Sequence, residues 1–553
     1  MSEGADEQAR ELIRTALDQT LVVEAAAGTG KTTELVRRIL AVLASGRADV
    51  REIVAVTFTE KAAGELKLRL RQGLEEERRA ATDPGVARSL GDAVRNLEEA
   101  HVSTIHGFCA DLLRERPVEA RIDPLFRVLT EGQAERLFDE AFLEWFHANL
   151  EAPPEGMRRS LRRTSRSFRP GELDEDGPME RLRRAGFELT QWRDFGGAWT
   201  RPSFDREGAI VEIVGLVHTL AEVSASPSYR GDNLFVDTEP VRRLSRDLRG
   251  RTQSQIPDHE SPMDLDGLDA LEAQLIDLVR NRDFKRARKG SGAGYGKGVT
   301  RAVVLEARDM LTWRLQEFQV RADADLAALL HLELRTSVDR YEALKAREGA
   351  LDFLDLLLRA RDLIRDDQAV RQHFQARFTR IFVDEFQDTD PLQAELLLLL
   401  ASSEPGETRW RHVLPTPGKL FIVGDPKQSI YRFRRADIAM YRDVCDLLIS
   451  RGAVHVPLRR SFRGTPTIQR AVNAAFAPVM DGDPQRLQAR YMALEAARED
   501  HPGQPSVVAL PVPDPYAQKF ISPREIEKSL PDAVGAYVEW LLTKSGGTVT
   551  ERR

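Results

Sequence analysis

The stretch Ala25-Ala26-Ala27-Gly28-Thr29-Gly30-Lys31-Thr32 decides the fold. It follows Leu21-Val22-Val23, a short apolar run that reads as a buried strand. It opens a segment from Thr32 to about Ala44 whose apolar spacing reads as a helix. A glycine-rich turn between a strand and a helix is the setting of a phosphate-binding loop. Gly28 and Gly30 let backbone N–H groups close on phosphate oxygens, with Ala25, Ala26, Ala27, Thr29 and Thr33 completing the cradle. The helix N-terminus adds unpaired donors and a favourable dipole. Lys31 is placed to reach the β- and γ-phosphates of ATP, and the Thr32 hydroxyl to bind Mg²⁺. The strict pattern opens on glycine, and this chain carries Ala25 there.

Outward from the loop, strands alternate with helices. Residues 9–20 read as a helix, 53–57 as a second strand, Lys61 to about Arg79 as a helix, 102–104 as a third strand and His106 to Leu113 as a helix. This alternation predicts a parallel sheet covered on both faces, an α/β fold. Strand signals return only at Arg380–Val383 and Leu420–Val423. Arg380-Ile381-Phe382-Val383 leads into Asp384-Glu385, a carboxylate pair at a strand end. Asp384 suits a water-mediated hold on Mg²⁺ and Glu385 the polarisation of an attacking water. Lys31 and Asp384 stand 353 positions apart, too far for one compact domain without a large insertion. The expected divisions are 1–112 with 376–470 as one α/β domain, 113–375 as a mainly helical insertion, and 471–553 as the beginning of a second domain. Gly290 to Gly298 reads as a flexible linker by composition.

Composition narrows the class. The chain has 553 residues, with Lys plus Arg 81 against Asp plus Glu 88, a net charge of −7. That excludes a histone-like coat but not a nucleic-acid enzyme with local basic surfaces. The two cysteines, Cys109 and Cys445, supply neither a disulfide framework nor a four-ligand zinc site, which points to the reducing cytoplasm. The acidic, polar N-terminus lacks the pattern of a secretory signal, and no apolar run approaches the ~20 residues that span a bilayer, so no membrane partner is expected.

The run Asp384-Glu385-Phe386-Gln387-Asp388-Thr389-Asp390 resembles the carboxylate motif of superfamily 1 helicases of the UvrD/RecB/AddA type. Further segments resemble that family in order: Gln8 in Asp6-Glu7-Gln8, residues 56–63 (Val-Thr-Phe-Thr-Glu-Lys-Ala-Ala), residues 103–108 (Ser-Thr-Ile-His-Gly-Phe), residues 423–434 (Val-Gly-Asp-Pro-Lys-Gln-Ser-Ile-Tyr-Arg-Phe-Arg) and residues 458–464 (Leu-Arg-Arg-Ser-Phe-Arg-Gly). Ser461, Phe462 and Gly464 stand where relatives often carry Asn, Tyr and Ser. Asp352-Phe353-Leu354-Asp355 is similar to the RecB/AddA branch. The resemblance covers roughly residues 5–475.

The resemblance implies a RecA-like sheet and an ATP-dependent 3′-to-5′ DNA helicase of repair and recombination. It implies that Gln8 reads adenine, Phe462 stacks on it, Gln428 senses the γ-phosphate and Arg463 neutralises charge in phosphoryl transfer. Thr57, Thr59, Thr104 and His106 then offer donors to DNA phosphates, and Phe58, Phe108, Tyr431 and Phe433 offer ring faces to unstacked bases. The implied partners are single-stranded DNA, single-to-double-strand junctions and a second subunit, AddB/RecC-like. Arginines 158, 159, 162, 163, 166 and 169, and the cluster Arg282, Lys285, Arg286, Arg288 and Lys289, read either as duplex contacts or as solvated faces. No segment resembles the family's THxxKGLE motif, its late arginine motif or a nuclease domain. The expectation is an N-terminal portion with weak activity alone. The competing readings are an unrelated phosphate-loop ATPase and a DNA-binding scaffold subunit that does not translocate.

Overall fold

The computed structural model describes residues 3–163, 177–197, 199–255, 265–286, 288–430, 435, 437–483, 488–510 and 522–547. The chain divides into two compact units, 1–124 with 356–553, and 125–355. The insertion expected over 113–375 thus corresponds to a unit over 125–355, and residues from 471 onward fall in the same unit as the sheet.

The first unit is built on six parallel strands: β1 (Leu21–Ala25), β2 (Ile53–Thr57), β3 (His101–Thr104), β4 (Arg380–Val383), β5 (Leu420–Gly424) and β6 (Val454–Leu458). Their order is β6-β1-β5-β4-β2-β3. Helix α1 (Glu3–Thr15) precedes β1, α2 (Lys31–Ala44) follows the phosphate loop, α3 (Glu60–Ala80) follows β2 and α4 (Ile105–Glu115) follows β3. β1, β2 and β5 are near-continuous Val/Ile/Leu/Ala runs, buried on both faces as central parallel strands must be. Leu35, Ile39 and Leu43, spaced at helical intervals on α2, pack with Leu66 and Leu70 of α3 against β1 and β2.

Register positions the chemistry. Val23 pairs with Val423 and Val456, Val383 with Ile422, and Val56 with both Val383 and Ser103. All six strands therefore end at one edge, and every strand-to-helix loop leaves from it. The sequence did not announce β6, because Pro457 interrupts Val454-His-Val-Pro-Leu. At the sheet edge proline costs little, since its missing N–H leaves no inner ladder bond unmade.

The second unit is mainly helical, centred on the long helix Arg301–Arg347. Its ends are tied by a short parallel pair, Arg127–Val128 against Ala350–Leu351. The Gly290–Gly298 segment is not the flexible linker its composition suggests. Gly294–Gly296 pairs antiparallel with Val299–Thr300, and the buried Tyr295 donates its hydroxyl to the Ser224 carbonyl at 2.9 Å. One anchored aromatic ring outweighs the glycine composition. The four described arginines of the run are ion-paired within the unit. Arg158 pairs with Asp269 at 2.5 Å, and the fully buried Arg159 pairs with Glu272 at 3.0 Å and Asp325 at 2.6 Å. Arg162 meets Asp266 at 2.9 Å, and Arg163 meets Glu272 and Asp323. Arg166 and Arg169 lie outside the described residues. In the second basic cluster Arg288 pairs with Asp237 at 2.6 Å and Arg286 with Asp283 at 3.2 Å.

A second buried charge cluster holds the end of this unit. Asp352 accepts from Arg193 at 2.6 Å, Lys345 at 2.8 Å and the Tyr341 hydroxyl at 2.9 Å, while Asp355 accepts from Arg193 at 2.6 Å and from Lys345. Burial alone would raise the Asp352 carboxyl, but Arg193 and Lys345 outweigh it and hold it well below the usual carboxylate range. The charged form therefore stabilises the unit above the ordinary aspartate pKa, and that contribution fades as pH falls through the native value. Asp352→Asn leaves Asp355 as the one buried carboxylate shared by Lys345 and Arg193, and should lower stability at neutral pH by up to about 3–5 kcal/mol, read from urea unfolding. The deficit should shrink in acid.

Candidate nucleotide site and strand-end surface

The phosphate loop turns on two glycines in the left-handed region, Gly28 at φ 78° and Gly30 at φ 86°. A side chain there would be strained. At Gly28 there is also no space: an added Cβ would lie 2.6 Å from the Cβ of Arg463. Gly30 caps α2, and the buried Thr29 closes the turn by donating its hydroxyl to the Ala26 carbonyl at 2.7 Å. Ala25 and Ala26 are buried, while Ala27 and Thr33 are exposed at the loop's surface. The alanine at the motif's first position occupies the last residue of β1, where its small side chain packs in the core.

From the first turn of α2, Lys31 reaches Glu385, Nζ to Oε2, at 2.6 Å, and the Thr32 hydroxyl donates to Asp384 Oδ2 at 3.2 Å. Residues more than 350 positions apart thus meet at the strand ends. Glu385 sits in the left-handed region at φ 51°, uncommon for a residue with a side chain. This twist immediately after β4 marks the strand end. Burial, then the neighbouring Glu385, push the Asp384 carboxyl up to about 6, against the pull of Lys31 and Thr32. The same two causes, in the same order, raise Asp388 to about 6.

Gln387, which the motif contains but chemistry alone did not single out, is fully buried. Its amide nitrogen donates to Glu385 at 2.8 Å and to Asp388 at 3.2 Å, and its amide oxygen accepts from the Asp425 N–H at 2.8 Å. Asp425 in turn accepts from the Gln428 amide at 2.6 Å and pairs with Lys427 at 3.0 Å. The loops after β4 and β5 are thereby one hydrogen-bonded body, with Gln428 on its rim. On the other side of β1, Phe462 N–H donates to the Gly28 carbonyl at 2.7 Å, bringing Phe462 and Arg463 against the phosphate loop. Gln8 is exposed on α1.

Among the described residues no group of three or more His, Cys, Asp or Glu side chains could hold a metal by itself. The Thr32 hydroxyl and Asp384 carboxylate are hard oxygen donors. They fit Mg²⁺, which binds through one or two protein oxygens and substrate phosphates rather than a protein cage.

The family model for the UvrD/REP helicase N-terminal domain matches residues 5–446. The chain belongs to the UvrD/REP helicase family. Among similar proteins are three whose names describe them as subunits of an ATP-dependent helicase/nuclease. That of Pediococcus pentosaceus is 26% identical over 488 residues, covering 83% of this chain and 38% of the relative. That of Bacillus pumilus is 26% identical over 517 residues, 84% and 38%. That of Listeria monocytogenes is 28% identical over 504 residues, 83% and 38%. The chain spans a little over a third of the length of these relatives.

The family's expected DNA-facing residues gather at the ends of β2 and β3. Thr57 is buried and donates to the Thr59 carbonyl at 3.2 Å. Thr59 caps α3, accepting from Ala62 N–H at 3.1 Å. Thr104 caps α4, accepting from Gly107 N–H at 3.1 Å, and donates to Glu60 at 2.7 Å. The hydroxyls expected to meet phosphates are thus engaged in building two helix N-termini side by side. Phe58 and His106 are partly exposed there. Phe108 is a correction: it is fully buried, edge-on to Phe378 with ring centroids 5.4 Å apart, and has no face for a base. Its position on the inward face of α4 decides this. Tyr431 and Phe433 lie outside the described residues.

Lys31→Ala removes the loop's cation and leaves Glu385 with the Gln387 amide but no ion-pair partner among the described residues. Titration with a fluorescent ATP analogue and Mg²⁺ should show binding abolished. Gly28→Ala should match it, because the added methyl meets Arg463.

Proposed function

We propose that this chain is the ATP-driven motor portion of a DNA helicase in a helicase–nuclease complex, taking ATP·Mg²⁺ and single-stranded DNA and moving 3′ to 5′. The observation that carries the reading is the convergence of Lys31 with Glu385 and of Thr32 with Asp384 at one edge of a parallel sheet. Open α/β sheets bind ligands outside the carboxyl ends of their strands.

In this reading the loop amides and Lys31 take the triphosphate, and Lys31 gives up Glu385 in doing so. The released Glu385, still held by Gln387, orients the attacking water, and Gln428 meets the γ-phosphate. Thr32 and Asp384 would hold Mg²⁺, which when bound would supply neutralisation of phosphate charge. Arg463 approaches from the segment clamped to Gly28, and Gln8 and Phe462 take the adenine. The exchange is favourable because Lys31 trades one carboxylate for several phosphate oxygens, while the triphosphate meets the positive end of the α2 dipole.

DNA is proposed to cross the N-termini of α3 and α4, where backbone donors meet phosphates and Phe58 stacks on bases, with Thr57, Thr59, Thr104 and His106 shaping that surface; Tyr431 and Phe433 are proposed as further stacking partners. The Asp384 N–H donates to the Val56 carbonyl at 3.0 Å, so the metal-side carboxylate and the strand carrying Thr57 move together. A partner protein of the AddB/RecC kind, action on single-to-double-strand junctions, and a cytoplasmic setting complete the proposal. Among the described residues no helix is long and apolar enough to cross a membrane.

The test is fluorescence anisotropy with a labelled oligothymidine. Binding should weaken steeply with salt, show little sequence preference, and fall by roughly 5- to 150-fold in Tyr431→Ala, as expected for loss of one stacking partner. ATP hydrolysis should rise on adding the oligonucleotide. Salt-independent binding, or no binding at low salt, rejects the reading.

A further inference from the structure

Arg10 on α1 is almost wholly buried, at 4% exposure. Its Nε donates to Asp6 Oδ2 at 2.7 Å, one terminal nitrogen to Glu34 Oε1 at 3.1 Å, and the other to the carbonyl of Thr29 in the phosphate loop at 2.9 Å. Partners in three directions hold the planar fork in one orientation. Asp6 spends its second oxygen on the backbone N–H groups of Arg459, at 2.8 Å, and Arg460, at 3.1 Å. These residues lead directly into Ser461-Phe462-Arg463.

The guanidinium carbon lies 5.0 Å from the centroid of the Phe462 ring. An atom added at Gly30 would sit 3.6 Å from Arg10 and 3.9 Å from that ring. Cation, ring and the last turn of the phosphate loop therefore meet at one point. A buried ion cluster by itself adds little stability over apolar packing, and its best-attested use is to fix one arrangement. Here the arrangement fixed is that of a partly exposed aromatic ring beside the phosphate loop.

We propose that Arg10 is a specificity-determining positioning residue: it sets the plane of Phe462 so that the base of a loop-bound nucleotide stacks on it, making affinity depend on the base as well as the triphosphate. Glu34 acts through Arg10, and Asp6 both holds Arg10 and binds the Arg459 and Arg460 amides directly. The proposal rests on the nucleotide-site reading above.

The experiment uses the 553-residue chain and two probes, a fluorescent ATP analogue and Mg²⁺-tripolyphosphate as a competitor lacking a base. The native chain should prefer ATP over tripolyphosphate by on the order of tenfold, the size of one stacking contact. Arg10→Leu should abolish this preference as completely as Phe462→Ala, leave tripolyphosphate affinity within about twofold, and add nothing in the double variant. Should Arg10→Leu not fold, Arg10→Lys carries the same test, because an ammonium can pair with Asp6 and Glu34 but cannot span all three partners. A separate arm needs no nucleotide: amide exchange at Arg459, Arg460 and Phe462 should accelerate on the order of tenfold in either Arg10 variant. Equal loss for both probes, an unchanged ATP preference, or unchanged exchange overturns the proposal. A native chain that binds neither probe rejects the nucleotide-site reading, and the exchange arm then decides alone whether Arg10 holds the 459–463 segment.

Discussion

The contact between Lys31 and Glu385 is the constraint on which the molecule depends. A lysine at a helix N-terminus can meet a carboxylate at another strand's end only if both strands point the same way and finish level. The register Val23–Val423 and Ile422–Val383 supplies both conditions. β5 stands between β1 and β4, so its own terminal loop, with Asp425 and Gln428, is drawn into the same place. Three loops from distant sequence become neighbours because of strand order, not because any loop seeks another. Gly424 makes the closest approach possible: an added Cβ there would lie 2.9 Å from the Gln387 amide oxygen.

The same constraint governs protonation. Asp384 and Asp388 are withdrawn from water beside Glu385, and Lys31 pulls against both effects. Their raised pKa values reflect burial first and the Glu385 charge second.

Much of this was legible in the residues. The phosphate loop, its flanking strand and helix, the carboxylate pair and the need for an insertion all follow from short-range patterns with a fixed geometry. What was not legible depended on tertiary partners. β6 hid behind Pro457 because edge position is a property of the sheet, not of the segment. Phe108 and the arginines at 158–163 were ambiguous because exposure is decided by what packs against them, here Phe378 on one side and Asp269, Glu272 and Asp325 on the other. Tyr295 shows the converse, a single ring ordering a glycine-rich run. Arg10 and Glu34 belonged to no motif, and only their convergence with Asp6 on Phe462 and Thr29 gives them meaning.

The short pair Arg127–Val128 with Ala350–Leu351 has a consequence for how such a chain can vary. Paired strands run about 4.8 Å apart, so the two ends of a unit over two hundred residues long are held nearly as close as the ends of a hairpin. Whatever lies between them is invisible to the strand order outside. Loop-closure entropy grows only with the logarithm of length, and here the clasp settles it locally. Helices can therefore be gained, lost or exchanged within 129–349 while the catalytic sheet keeps its register, which makes this neck a natural seam for recombination between genes.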